Sequence, residues 1–260
     1  MRSQRILVAL STIVFGAAVL AARPAAAEGW ELTLAPYFWM ISADGKLGVN
    51  GQKEELDASF SDILDASDSY VAFNADVKLS NGRFGLLFAP SWAQIGVDDV
   101  ANGTPLEADV TFDMLFMDMA VLYRAVDWPM SNPAGDHTRV TVDALVGARY
   151  TWLQPEIDFD NAGSPDREND WWDPIVGADA KIDITPRFFL TLRGDVGGFG
   201  AGSEWTTNAA SSFGVRFNVF GINAAVRAGY RVLYQDFDEG GFDWRMTIHG
   251  PILGFMSEWK

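Results

Sequence analysis

Side chains able to do acid–base or nucleophilic chemistry near neutral pH are few in this chain. It has two histidines, His137 and His249, and no cysteine. Hydrolytic chemistry needs an imidazole within hydrogen-bond reach of a hydroxyl or carboxylate. His137 lies among Asn132, Pro133, Gly135 and Asp136, turn residues that leave a ring in water. His249 has Thr247 and Pro251 two positions away, so no Ser or Asp neighbours it on its own strand face. No catalytic residue is assigned from this pattern, and the chain is expected not to be an enzyme. The acidic runs Asp57–Asp68 and Glu156–Asp160 offer hard oxygen ligands, but without the spacing and glycine of a calcium loop. Neither a metal nor a cofactor is expected.

The other charges recur at intervals of two. Asp179, Lys181 and Asp183 do so, as do Arg193 and Asp195; Asp143 and Arg149 share a parity, and so do Arg227 and Arg231. Residues two apart share one face of a strand while their neighbours point the other way. Between Val140 and Leu153 one face carries Val140, Val142, Ala144, Val146, Ala148, Tyr150 and Trp152, and the opposite face holds Asp143 and Arg149. The same alternation recurs over Phe188–Val196 and Ile222–Gln235.

Extending it along the chain places strands near Trp30–Ile41, Tyr70–Ser80, Arg83–Ile95, Val110–Arg124, Arg139–Leu153, Trp172–Asp183, Arg187–Phe199, Ser211–Phe220, Ile222–Phe237 and Phe242–Trp259. The phase slips near Leu115–Phe116 and at His249-Gly250-Pro251, where a bulge is expected. Tight turns at Asn81-Gly82, Ile184-Thr185-Pro186 and Gly221 alternate with longer links at Ser42–Ser69, Gly96–Asp109, Gln154–Asp170 and Gly200–Ala210; Asp127–Thr138 is a longer exception among the tight turns. Ser42–Ser69 is expected to hold a hairpin at Asn50-Gly51 and a helical turn near Ser61–Ala66, and to cap or enter whatever the strands enclose. The fold class is therefore all-β: a transmembrane antiparallel up-and-down β-barrel of about ten strands, within a range of eight to twelve.

A soluble sandwich would bury the apolar face, whereas a membrane barrel turns it to lipid. The aromatics favour lipid. Trp92, Tyr150, Trp152, Trp172, Tyr234 and Trp244 fall near the long-link ends of their strands, and Trp30, Phe84, Tyr123, Phe188 and Trp259 near the short-turn ends. Two such girdles mark the two interfaces of a bilayer. The polar face carries the acids Glu31, Asp76, Asp113, Asp118, Asp143, Asp179, Asp183 and Asp195. Its bases are Lys78, Arg83, Arg124, Arg149, Lys181, Arg193, Arg216, Arg227, Arg231 and Arg245. Near-balance there, in a chain of net charge −16, puts the excess acid in the links and suits a closed lumen of paired charges.

Arg2, Arg5, the apolar run Ile6–Ala22 and the small residues Ala25-Ala26-Ala27 read as a secretory leader cut after Ala27, leaving 28–260 as one domain. Loss of the leader, with Arg2, Arg5 and Arg23 and no acid, takes the net charge from −16 to −19. Nucleic acid is a poor partner for such a chain.

The stretches WELTLAPYFWM, VDALVGARYTWL, WWDPIVGADAKIDITPRFFLTLRGDVGGFG and HGPILGF resemble the small outer-membrane β-barrel proteins of proteobacteria, in the OmpA-like and OmpW-like size class. The resemblance implies the outer membrane as location, with outer-membrane lipid, lipopolysaccharide and, during biogenesis, the barrel-assembly machinery as partners. It implies no reaction and no extracellular ligand. A lumen largely plugged by its own charges points to envelope structure or surface binding; the alternative is a narrow channel or small-solute uptake protein.

Overall fold

The computed structural model describes residues 29–49, 52–100, 108–131, 137–159, 168–219 and 222–259. The leader and its cleavage site at Ala27 lie outside these, as do the turn residues Asn50 and Gly51. Twelve strands and one helix follow in chain order: β1 (Glu31–Trp39), β2 (Ser42–Val49), β3 (Gln52–Ala58), α1 (Phe60–Ala66), β4 (Ser69–Ser80), β5 (Phe84–Val100), β6 (Ala108–Ser131), β7 (His137–Phe159), β8 (Asn169–Asp183), β9 (Phe188–Gly198), β10 (Trp205–Val219), β11 (Ile222–Glu239) and β12 (Phe242–Trp259).

Ten of them, β1 and β4 to β12, pair antiparallel in sequence order and close on themselves where β1 meets β12. Closure follows from the alternation: with one face apolar throughout, no edge strand is left to be protected. The apolar face points outward. Val146 is 62% exposed, Val121 55%, Leu86 53% and Leu253 51%, and all lie on the outer surface of the wall. Large aliphatic side chains exposed around a whole barrel mark a surface made for lipid. Phe84, Tyr123 and Phe188 stand on this surface near the short-turn end, while Tyr150 packs against Trp172 at 4.8 Å near the other. Trp128, 61% exposed, adds to the lower girdle.

The link between β1 and β4 is built onto the barrel wall, with Ala43 and Leu47 against the side chains that fill the lumen. β2 continues alongside β12 from the level at which β1 leaves it, with Ser42 opposite His249, and β3 folds back on β2. Gly250 makes this handover possible: at its φ of 156° a Cβ would lie 1.8 Å from the carbonyl oxygen of Met40, between β1 and β2, which pair with β12 in one register. Ser59 caps α1, accepting from the Asp62 backbone N–H while the Asp62 carboxylate accepts from the Ser59 N–H. Those Ser59 bonds hold the Asp62 carboxyl below the usual carboxylate range. Phe60 at the helix start meets Phe38 and Tyr70 edge-on at 6.0 and 5.9 Å, filling the wall beside the upper end of β4.

Three sequence expectations are corrected. The Asp127–Thr138 link is mostly strand, because β6 and β7 stay paired to Ser131 and His137. The β6 phase slip falls at Arg124/Val126, not near Leu115. β12 has no bulge and keeps one phase from Phe242 to Trp259.

Candidate functional site: the lumen

The inward faces of ten strands converge on a lumen in three layers. Across the middle, Arg149 of β7 is fully buried. It donates from Nε to Asp118 at 2.7 Å, from Nη2 to Asp195 at 2.8 Å and from Nη1 to Thr206 Oγ1 at 2.9 Å. Asn208 extends the chain, donating to Asp195 at 2.8 Å and accepting from Arg231 Nε at 2.9 Å. Arg231 in turn donates to Tyr37 Oη at 2.7 Å and Ser91 Oγ at 2.8 Å, and lies over the Trp39 ring at 4.6 Å. Charges this deep are tolerable only when paired and hydrogen-bonded. A guanidinium, with five donors in a planar fork, can satisfy several carbonyl or carboxylate partners at once.

Below this layer, toward the short turns, Asp76 accepts from Arg227 at 2.7 Å and Arg193 at 3.1 Å. Arg193 also reaches Asp179 at 3.3 Å, and Lys78 bridges Asp143 at 2.5 Å and Asp179 at 3.0 Å. Arg124 pairs with Asp143, Arg216 with Asp183, and Lys181 with Glu258. Some of these bonds span the lumen, as Arg193 of β9 to Asp76 of β4 and Lys181 of β8 to Glu258 of β12 do, while Arg124–Asp143 and Arg193–Asp179 join cross-strand neighbours. A cavity of about 450 Å³ lies among them and reaches the short-turn end, where Gly82 and Pro186 line it.

Above the middle layer the lumen is apolar. Tyr37, Trp39, Phe116, Leu153, Trp171, Leu233, Phe237, Trp244 and Met246 form one packed cluster with exposures of 6% or less. Trp171 stacks on Phe237 at 4.0 Å and Trp244 on Phe112 at 6.2 Å. Ala43 and Leu47 of the β2 extension pack against the cluster from the side. Asp173 anchors the adjoining polar patch, accepting from Trp171 Nε1 at 3.1 Å, from the Ser203 N–H at 2.6 Å and from Gln235 at 3.3 Å.

Of the lumen charges expected from sequence, Asp143, Arg149, Asp179, Lys181, Asp183, Arg193, Asp195, Arg216, Arg227 and Arg231 all stand inside. Arg245 does not: its side chain, 47% exposed, sits on the outer surface paired with Asp236 at 3.1 Å. Trp244, expected in the outer girdle, is 3% exposed inside the lumen. One physical cause underlies both, since β12 keeps its phase through Gly250 and its upper half is therefore inverted relative to a bulged strand. Asp113 likewise faces outward, accepting from Gln94 at 3.1 Å, and Arg83 lies exposed at its turn over Tyr123. The remaining girdle residues, Trp30, Phe84, Trp92, Tyr123, Tyr150, Trp152, Trp172, Phe188, Tyr234 and Trp259, belong to the outward parity.

Sequence reasoning missed a polar chain on the outer surface. His249 Nε2 is bonded to Asp44, and its Nδ1 lies 2.6 Å from Tyr230 Oη. With Nε2–H donating to the carboxylate, Nδ1 accepts from the phenol. An imidazole held by a carboxylate can polarise a phenol, but in this position it also fastens the β2 extension to β12 and β11. The carboxylate comes from a hairpin 205 residues away in sequence, so no local spacing could reveal it. His137 Nδ1 and Nε2 lie outside the described side chains.

No family model and no curated protein matches the chain. Several solved structures do resemble it. Ail, the attachment invasion locus protein of Yersinia pestis, solved with the heparin analogue sucrose octasulfate, is 10% identical with a TM-score of 0.40, covering 88% of this chain and 98% of its own. The outer membrane protease OmpT from Escherichia coli is 11% identical with a TM-score of 0.44, covering 92% and 100%. The transport unit of the Escherichia coli autotransporter AIDA-I is 9% identical with a TM-score of 0.39, covering 96% and 95%. An attachment protein, a protease and a transport unit have no common activity to pass to this chain.

Proposed function

We propose that the protein is an outer-membrane β-barrel that neither conducts nor catalyses, a sealed wall element serving envelope structure or surface binding. The apolar belt meets outer-membrane lipid, with lipopolysaccharide at the long-loop end. Short turns face the periplasm, as is general for such barrels. The exported chain loses Met1–Ala27 and is inserted by the barrel-assembly machinery.

The observation that carries this reading is the apolar cluster around Trp39 and Trp244 filling the outer half of the lumen. A ten-strand barrel encloses little more than its own side chains, and here those of the outer half are packed ones. Solute passage would require that cluster to part. The outward rim is acidic, with Glu55, Asp57, Asp65, Asp238 and Glu239 on or beside it, which suits contact through divalent cations or basic partners. The His249 chain, with its phenol partner, supports anchoring of the β2 extension in preference to hydrolysis, since among the described residues the ring is bonded to Asp44 and Tyr230 and to no Ser or Thr.

Liposome swelling tests the proposal. Vesicles carrying the folded barrel should swell in isosmotic arabinose or glycine no faster than protein-free vesicles. Swelling that rises with protein content would make the channel alternative the better account.

A further inference from the structure

The inner half of the lumen is as open as the outer half is closed. Its cavity of about 450 Å³ is a blind vestibule: the roof is formed by Tyr37, Arg231 and Asn208, and the mouth lies at the short turns. That volume is in the range of sites for small molecules.

Its charge runs against that of the whole chain. Among the described residues lining it, eight are Lys or Arg and five are Asp or Glu, in a protein whose net charge is −16. The carboxylates of Asp118, Asp127, Asp143 and Asp195, with Arg149, sit around this lining and bring the wider network to balance. The excess of base is local to the roof, where Arg193 and Arg227 share the carboxylate of Asp76 and Arg193 shares Asp179 with Lys78. Arg231 is there too, bonded to neutral partners and 3.9 Å from an Asp118 that Arg149 already holds. Arg193 spends Nε and Nη1 on its carboxylates, and Arg227 makes its bonds from Nη2, with its Nε unpartnered. Guanidinium groups with donors to spare, in a blind pocket with low-dielectric walls, focus a positive potential.

We propose that this vestibule binds a small soluble oxyanion, a phosphate or polycarboxylate, admitted from the periplasm and held under the roof by Arg193, Arg227 and Arg231. The periplasmic side rests on the orientation given above; the site itself does not depend on whether the barrel conducts. The acidic outer rim and basic inner vestibule then make the barrel electrostatically two-ended, repelling anions outside and retaining them within.

Isothermal titration of the folded full-length barrel in phosphatidylcholine nanodiscs tests this, with inorganic pyrophosphate and citrate as probes and spermidine as the opposite charge. At least one anion should bind saturably near one equivalent, at least tenfold more weakly in 0.5 M salt, and spermidine should not bind at the vestibule. Arg227→Met should weaken anion binding at least tenfold. Arg227→Lys, which keeps the charge near Asp76, should retain part of it and guards against a folding defect. No anion heat at low salt, or binding unchanged in both variants, would overturn the proposal and leave the sealed barrel standing. Nanodiscs containing phosphatidylglycerol separate the sources: affinity should be unchanged, and a fall of tenfold or more would assign the site to lipid headgroups instead.

Discussion

Arg149 and Asp195 lie 46 residues apart in sequence, yet Nη2 of the one donates to the carboxylate of the other at 2.8 Å, with both side chains wholly buried. Asp118 holds the other edge of the same guanidinium. This pairing ties β7 to its neighbour β6 and, past β8, to β9. Removing one member of a buried ion pair strands the other in a medium that solvates it poorly, at about 3–5 kcal/mol. Arg149→Leu should therefore lower the temperature at which the heat-modifiable folded band disappears on a gel. Val226→Arg, which places a charge on the lipid face, should lower it too, at roughly 2–4 kcal/mol near the bilayer midplane. An unchanged transition in Arg149→Leu would contradict the closed, ion-paired lumen.

The orientation of β12 is open to an equally sharp test. Trp244 is packed in the lumen on Phe112, and Arg245 is outside in an exposed pair with Asp236. Trp244→Ala should leave a cavity and cost about 3–5 kcal/mol. Arg245→Ala should cost about 0–1 kcal/mol, as exposed pairs do. The reverse ranking in thermal unfolding would restore a bulge at Gly250 and the opposite facing of both residues.

That strand also shows where a period-two reading succeeds and where it fails. On β7, Asp143 and Arg149 alternate with Val146 and Tyr150, so polarity alone separates lumen from lipid. On the upper half of β12 the inward set is Phe242, Trp244, Met246 and Ile248 and the outward set includes Arg245 and His249. There the lumen is the apolar side, so contrast between faces points the wrong way. Barrel architecture, strand order and ten of the lumen charges follow from alternation along single strands. The plug of Trp39, Trp171 and Trp244, the bridging role of Asn208 and the Asp44–His249–Tyr230 chain depend on contacts between strands. Local spacing carries no trace of those.

Topology can be read on whole cells. Arg83, at the exposed β4–β5 turn, should face the periplasm, and Ala201, exposed between β9 and β10, should face outward. With a membrane-impermeant maleimide too large for general porins, Ala201→Cys should label on intact cells and Arg83→Cys only after the outer membrane is breached. Labelling in the opposite order would invert the barrel, and with it the side from which the vestibule opens.

The seal itself is tested most directly by electrical recording. The folded protein, inserted into a planar bilayer with insertion verified by the later loss of its heat-modifiable band to protease, should give no stable unitary conductance in 1 M KCl at up to 100 mV. Trp39→Ala combined with Trp244→Ala, which hollows the outer cluster, should produce discrete openings. Stable unitary currents from the unaltered protein would contradict the sealed lumen and show that the cluster around Trp39 and Trp244 gives way in the membrane.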